Sequence, residues 1–129
     1  MSDDANCVLT DISGSYAMLN IQGPNSRSLL TTISSSNFSN EYFPFGTMQP
    51  IEIGYQNALA VRISYTGELG WELYIPTEMA VSVYDKIIEE GKVHGLKHCG
   101  YHTLNSLRIE KAYREWAHGM GPRLSLIHI

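Results

Sequence analysis

The stretch LAVRISYTGELGWELYIP (59–76) alternates Val61, Ile63 and Tyr65 with Arg62 and Ser64, pauses at Thr66-Gly67-Glu68-Leu69-Gly70, and then alternates Trp71, Leu73 and Ile75 with Glu72 and Tyr74. A period of two on both sides of a turn containing two glycines predicts a β-hairpin with one buried face, its first strand over 59–65. A carboxylate between Trp71 and Leu73 reads first as a solvent-facing residue of a half-buried hairpin. The alternative puts Tyr65 and Glu72 on one face, over a cavity. A four-residue connection, Thr66 to Leu69, pairs Tyr65 with Gly70 and Ile63 with Glu72, so that Tyr65 and Glu72 share a side; a five-residue connection puts them on opposite sides. Periodicity does not choose between the two.

Upstream, Ala17, Leu19 and Ile21 alternate with Met18, Asn20 and Gln22, predicting a strand over 15–22. Gly23-Pro24 closes it, with Pro suited to the first helical position, and a short helix over 25–33 turns Leu29, Leu30 and Ile33 inward. The Ser-rich segment 34–40 reads as a loop, 48–53 as a strand and 55–58 as a turn. Downstream, Thr77 is placed to cap a helix and Glu78 to complement its dipole. Ala80, Val83, Tyr84, Ile87 and Ile88 carry that helix, which should stop near Val93 with Gly91 and Gly95 close by. A last helix is expected over 101–116, with Leu104, Leu107, Ala112, Tyr113 and Trp116 inward. Strand, helix, three strands and two helices imply an α+β domain: an antiparallel sheet with helices packed on one face.

Composition narrows the function. The 129 residues suit one domain; 43% are hydrophobic and 17% charged, an ordinary globular balance. The net charge is −4 and the nine basic residues are scattered, which excludes a nucleic-acid surface built on clustered Lys and Arg. Cys7 and Cys99 make no disulfide framework, so a reducing compartment is the default. No apolar run reaches the roughly 20 residues of a membrane span. Met1-Ser2-Asp3-Asp4 lacks an Arg-rich presequence pattern, so any targeting segment of an organellar parent would lie outside the chain. Leu124-Ser125-Leu126-Ile127-His128-Ile129 matches, in one reading frame, the translation of a transposase adapter from sequencing libraries. Residues 124–129 are therefore expected to be a non-native tail, and the domain to occupy 1–123.

The string ISYTGELGWELYIP (63–76) resembles the aminomethyltransferase-type folate-binding domain, and IQGPN (21–25) and NSLRIEK (105–111) fit the same resemblance. Together these cover roughly 8–119, and the glycine-rich hairpin followed by the Leu-Arg-x-Glu helix is the specific combination. The resembled family includes the glycine-cleavage aminomethyltransferase, the C-terminal halves of dimethylglycine and sarcosine dehydrogenases, and a non-catalytic regulatory relative linked to pyruvate dehydrogenase phosphatase. In the dehydrogenases, an N-terminal flavin domain oxidises an N-methyl group and the C-terminal domain offers tetrahydrofolate to capture the one-carbon unit. By that resemblance Tyr65 and Glu72 are folate contacts: a carboxylate accepts paired hydrogen bonds from a pterin, and a tyrosine packs its ring on the ligand.

The position of the arginine that pairs with the folate tail in the glycine-cleavage enzymes is Leu104 here, which points to the dehydrogenase branch. The family's aspartate, thought to act on a folate nitrogen, would fall upstream of Met1, and Asp3, Asp4 and Asp11 do not match it, so no catalytic residue is assigned. The resemblance further implies FAD only in an N-terminal domain outside the chain, that flavin domain and the folate as partners, and a mitochondrial matrix location in a eukaryote or a cytoplasmic one in a bacterium. Roughly half of the family's domain lies outside the chain, so the isolated piece is expected to be poorly stable and inactive alone. His98, Cys99 and His102 are ligand types at close spacing without a second cluster, so a loop before a helix is the reading and no metal is assigned. Arg108 and Glu110 are two apart on a helix and do not face each other; packing of that helix on the hairpin is their expected role. Ser13-Gly14-Ser15 is an ordinary turn, and no Gly-rich phosphate loop supports flavin or nucleotide binding by the chain itself.

Overall fold

The computed structural model describes residues 6–115 and 121. In chain order it forms β1 (Tyr16–Gln22), α1 (Ser26–Ile33), β2 (Met48–Ile53), β3 (Gln56–Val61), β4 (Gly70–Pro76), α2 (Ala80–Gly91) and α3 (Tyr101–Glu110), with single 3-10 turns at Ser13–Ser15 and Thr77–Met79. The strands make one antiparallel sheet in the order β1-β4-β3-β2, an α+β fold. The last strand among the described residues therefore lies inside the sheet, with the first of them added along its free edge. Pro50 sits in the edge strand β2, where its missing N–H breaks no ladder.

Alternation decides what each strand buries. Trp71, Leu73 and Ile75 of β4 are fully buried, and across the ladders they meet Ile21, Leu19 and Ala17 of β1 and, at Leu73, Ala60 of β3. Ile51, Ile53 and Ala58 extend this face, and Leu29, Leu30 and Ile33 of α1 with Val83 and Ile87 of α2 cover it. Each large side chain buried in this way contributes about 1.5–3 kcal/mol of transfer free energy. The core also takes Phe38 and Phe43 from the loop between α1 and β2. Their rings meet the Trp71 indole edge-on at centroid distances of 5.4 and 6.0 Å.

The hairpin differs from expectation in extent and register. Strand β3 starts at Gln56 and ends at Val61, so the 55–58 turn moves to Gly54 and Tyr55, where Gly54 takes φ +63°. A positive φ at the first central residue suits a two-residue hairpin turn. At its far end the ladder pairs Val61 with Glu72, where the four-residue connection would have paired Ile63 with Glu72. The chain leaves the ladder because Arg62 is used elsewhere. Its N–H donates to Thr47 O (2.9 Å), its Nη1 donates to Phe43 O (2.7 Å), and the Ile63 N–H folds back on Val61 O (3.1 Å) in a three-residue turn. Residues 62–69 are consequently a loop, and Tyr65 belongs to it rather than to a strand.

Helix boundaries were partly legible. Helix α1 begins at Ser26, with Pro24 in the turn ahead of it rather than at its first position. Thr77 caps nothing; its hydroxyl donates to Gly14 O (3.0 Å) and ties the end of β4 to the start of β1. The α2 region closes with Leu96 N–H on Gly91 O (2.9 Å) and Gly95 N–H on Lys92 O (3.3 Å), with Gly95 at φ +75°, a Schellman cap near the stop expected at Val93. Helix α3 ends at Glu110, short of the expected 116, because the same cap recurs there: Tyr113 N–H donates to Arg108 O and Ala112 N–H to Ile109 O, both at 2.9 Å. Ala112 occupies the left-handed position at φ +59° and is exposed rather than inward; Tyr113 is exposed too. Trp116 and the tail expected at 124–129 lie outside the described residues.

Two outcomes follow for stability. Trp71→Ala empties the centre of the core and should cost about 3–5 kcal/mol, read by denaturant unfolding. Ala112→Gly removes a left-handed alanine from a helix cap and should add about 0.5–1 kcal/mol in the same assay; a loss would mean that the cap is not formed in solution.

Candidate functional site

Because Trp71 and Leu73 point into the core, Glu72 and Tyr74 lie on the sheet face that the helices leave uncovered. Glu72 is half-buried between Asn20 of β1 and Val61 of β3. Its Oε2 accepts a hydrogen bond from the Tyr74 hydroxyl (2.9 Å), and Oε1 has no hydrogen-bond partner among the described residues. The carboxylate holds the Tyr74 pKa above the ordinary tyrosine value, first through this hydrogen bond and then through burial and its negative charge.

Tyr65 is held from the opposite direction. Its ring lies under the Arg108 guanidinium, 5.8 Å from centroid to Cζ, a cation–π contact. Its buried hydroxyl has the Glu115 carboxylate as its polar neighbour. Burial is the main cause of a raised Tyr65 pKa, Glu115 and Tyr101 add to it, and Arg108 opposes it. Arg108 is itself buried, with Nε on Asn105 Oδ1 (2.8 Å), Nη1 on Tyr113 O (3.0 Å) and Nη2 3.6 Å from Glu115. Arg108 thus packs α3 against the hairpin loop, the structural role expected of it, whereas Glu110 is exposed. Lys111 adds an ion pair to Glu68 (2.9 Å) in the same loop. Tyr65 and Glu72 therefore have different polar partners: one is fixed by α3, the other by its own strand.

A cavity of about 470 Å³ opens between the β1 edge, α2 and α3; neither Tyr65 nor Glu72 lines it, but Thr66, next to Tyr65 in the chain, and Asn20, opposite Glu72 in the ladder, do. Asn20, Gln22, Thr66 and Lys97 supply polar wall, and Leu96, Leu104 and Leu107 supply apolar wall. That size and a mostly apolar lining suit a small organic ligand. Asn20 joins cavity and carboxylate, since it stands directly across the ladder from Glu72. Leu104 contributes hydrocarbon and no charge. His98 and Cys99 are exposed in the loop ahead of α3, with Tyr84 as the partner of His98, and His102 is exposed in the first turn of α3. Among the described residues no group of three His, Cys, Asp or Glu is placed to hold a metal ion.

Sequence reasoning missed Gln22, whose carboxamide reaches Asn20, Ile63 and Thr66, and Arg27 and Arg62, whose guanidinium carbons lie 5.8 and 5.7 Å from the Trp71 ring centroid. The one available signal for Gln22 was a polar residue at the end of a strand facing a glycine, which has meaning only once the register is known.

Comparison with known proteins bears on what this site belongs to. Residues 1–129 match the GCVT N-terminal domain. The mitochondrial sarcosine dehydrogenase of Mus musculus is 42% identical over 116 residues, 90% of this chain and 13% of that protein. The mitochondrial dimethylglycine dehydrogenase of Homo sapiens is 37% identical over 108 residues, 84% of the chain and 12% of that protein. An aminomethyltransferase of Halothermothrix orenii is 39% identical over 104 residues, 78% of the chain and 28% of that protein. The chain thus spans about an eighth of the dehydrogenases and just over a quarter of the transferase, and with its match running from end to end it belongs to the GCVT N-terminal domain family.

Proposed function

We propose that this chain is the tetrahydrofolate-binding portion of a flavin-dependent dehydrogenase of N-methylated glycines, dimethylglycine or sarcosine. The supporting observation is Glu72: a half-buried carboxylate on the uncovered sheet face, with Oε1 unengaged among the described residues, across the ladder from a residue that lines a cavity of ligand size. A reduced pterin presents a ring N–H and an amino group side by side, and a carboxylate is the side chain that accepts both. Tyr65, fixed under Arg108, is the loop's aromatic ring, next in the chain to the cavity-lining Thr66. When bound, tetrahydrofolate supplies nucleophilic nitrogens that capture a one-carbon unit at the formaldehyde level as methylene-tetrahydrofolate. The residues of this chain hold and orient it; FAD and the oxidation step belong to a flavin domain acting in cis beyond this chain. Leu104 puts hydrocarbon where the resembled glycine-cleavage enzymes carry the arginine for the folate tail, which favours the dehydrogenase reading over a glycine-cleavage aminomethyltransferase; Lys97 is the cation of the cavity wall. In a eukaryote the protein would work in the mitochondrial matrix, in keeping with the mitochondrial relatives, and in a bacterium in the cytoplasm.

Titration of the full-length protein with a reduced folate should give saturable micromolar binding. Glu72→Gln, which leaves one hydrogen-bond acceptor and removes the charge, should weaken it about tenfold to a hundredfold. Binding that is absent, or indifferent to Glu72→Gln, returns the chain to a non-catalytic regulatory role on the same fold. A second expectation concerns pH. The Tyr74 hydroxyl titrates above the ordinary tyrosine value in the folded state. The stability carried by its bond to Glu72 is therefore full below the unfolded tyrosine pKa and is lost as the pH rises through the folded one. Ultraviolet titration of the tyrosinates should show this late group, and Glu72→Gln should move it down; an unmoved titration would dissociate the pair.

A further inference from the structure

Gln22 is the last residue of β1 and stands opposite Gly70, the first residue of β4. Gly70 is not among the glycines with positive φ, so its backbone does not require glycine. What glycine leaves is room for the Gln22 carboxamide: a Cβ on Gly70 would meet Cδ, Oε1 and Nε2 of Gln22 and push that group aside. The carboxamide thus lies flat across β4 where a side chain would otherwise stand. From there Nε2 donates to Asn20 Oδ1 and to Ile63 O (3.3 Å), while Oε1 faces the hydroxyl of Thr66 (3.5 Å), which is 2% exposed. Both N–H donors and the oxygen are used, and a flipped amide would set oxygen against the Ile63 carbonyl. The same corner of the chain holds the end of the loop, with Leu69 O accepting from Gly23 N–H (2.8 Å) and Ser26 Oγ (2.9 Å).

We infer that Gln22, laid across Gly70, is a positioning residue that fixes the 63–69 loop and the Asn20 amide, and through them sets Tyr65 and the neighbour of Glu72 in register for the ligand. As a statement about folate, this rests on the function proposed above; as a statement about the loop, it stands alone. Gln22 touches neither Tyr65 nor Glu72 through any hydrogen bond, so its effect on binding is indirect. Asn20 is the shared element: it receives the Gln22 N–H on one side and stands opposite Glu72 on the other.

The test is a double-mutant cycle in the full-length protein, read by reduced-folate titration, by hydrogen exchange of the 63–69 amides and by thermal unfolding. Gln22→Ala and Gly70→Ala should each weaken folate binding about tenfold, the value of one to two lost hydrogen bonds, and should speed exchange in 63–69. The double variant should be no worse than Gln22→Ala, because without the carboxamide there is nothing for the new methyl to displace. Gln22→Glu fills the same volume but loses both donors; it should behave like Gln22→Ala, whereas a space-filling role would be rescued by it. Additive losses in the cycle, or wild-type affinity and exchange in Gln22→Glu, overturn the inference. If the unsubstituted protein binds no folate, the functional reading fails by itself, and exchange alone decides: protection lost in both single variants and no further in the double sustains the clamp, and unchanged protection removes it.

Discussion

The packing around Trp71 is the constraint on which the other parts of the structure depend. The indole is fully buried, walled by Phe38 and Phe43, and approached by the guanidinium groups of Arg27 and Arg62. Two cations drawn to one ring repel each other, and burial together with Arg27 depresses the Arg62 pKa. The arrangement holds because each arginine also has an oxygen to itself, Arg62 the Phe43 carbonyl and Arg27 the Asn40 side chain, and each has the electron-rich ring face or edge nearby. One residue thereby ties together α1, the α1–β2 loop, the end of β3 and the middle sheet strand β4.

That packing explains why the hairpin could be seen in the sequence while its length could not. The alternation of Trp71, Leu73 and Ile75 with Glu72 and Tyr74 follows from the two-residue period of any strand with one buried face, so the orientation of β4 was legible. The end of β3 is set by where the Arg62 side chain goes, and that is decided by Phe43 and Thr47, residues in a different segment. Pattern within 59–65 carries no information about them. The Ser-rich segment 34–40 hid a core phenylalanine for a related reason: polar neighbours describe where the backbone runs, not where one ring inserts. Ala112 shows a third limit, since a Schellman cap is ordinarily announced by glycine and here it forms on alanine, beside Arg108, which holds Asn105 and the Tyr113 carbonyl locally and the Tyr65 ring from afar.

The same division runs through the candidate site. The side on which Glu72 emerges was a matter of parity, and parity survives a shift of two residues in the ladder, so the residue stayed on the face opposite the core even though its partner became Val61. Tyr65 had no such protection. Once the strand stopped at Val61, its placement passed to Arg108 of α3 and to the β1–α1 corner, elements far away in sequence. Residue types and motif order pointed to both side chains; the fact that they are supported by separate scaffolds is visible only in three dimensions.

A site assembled from separate scaffolds binds well only if the mobile part is fixed before the ligand arrives, because ordering a loop on binding consumes affinity. Residues 62–69 have no strand partner, and yet six of the eight are tied. Arg62 is held at the indole, Ile63 and Thr66 at Gln22, Tyr65 under Arg108, Glu68 by Lys111, and Leu69 by Gly23 and Ser26. The ties on the β1 side come from residues within the core framework, and those on the α3 side from a helix whose own end is held by a strained alanine cap. The less secure support is therefore α3. Loosening that cap would release Arg108 and with it the Tyr65 ring, while the Gln22 side kept the loop backbone near the sheet; loosening Gln22 would do the reverse. Fixation from both sides is what lets a segment outside the sheet present a side chain with the precision of one inside it.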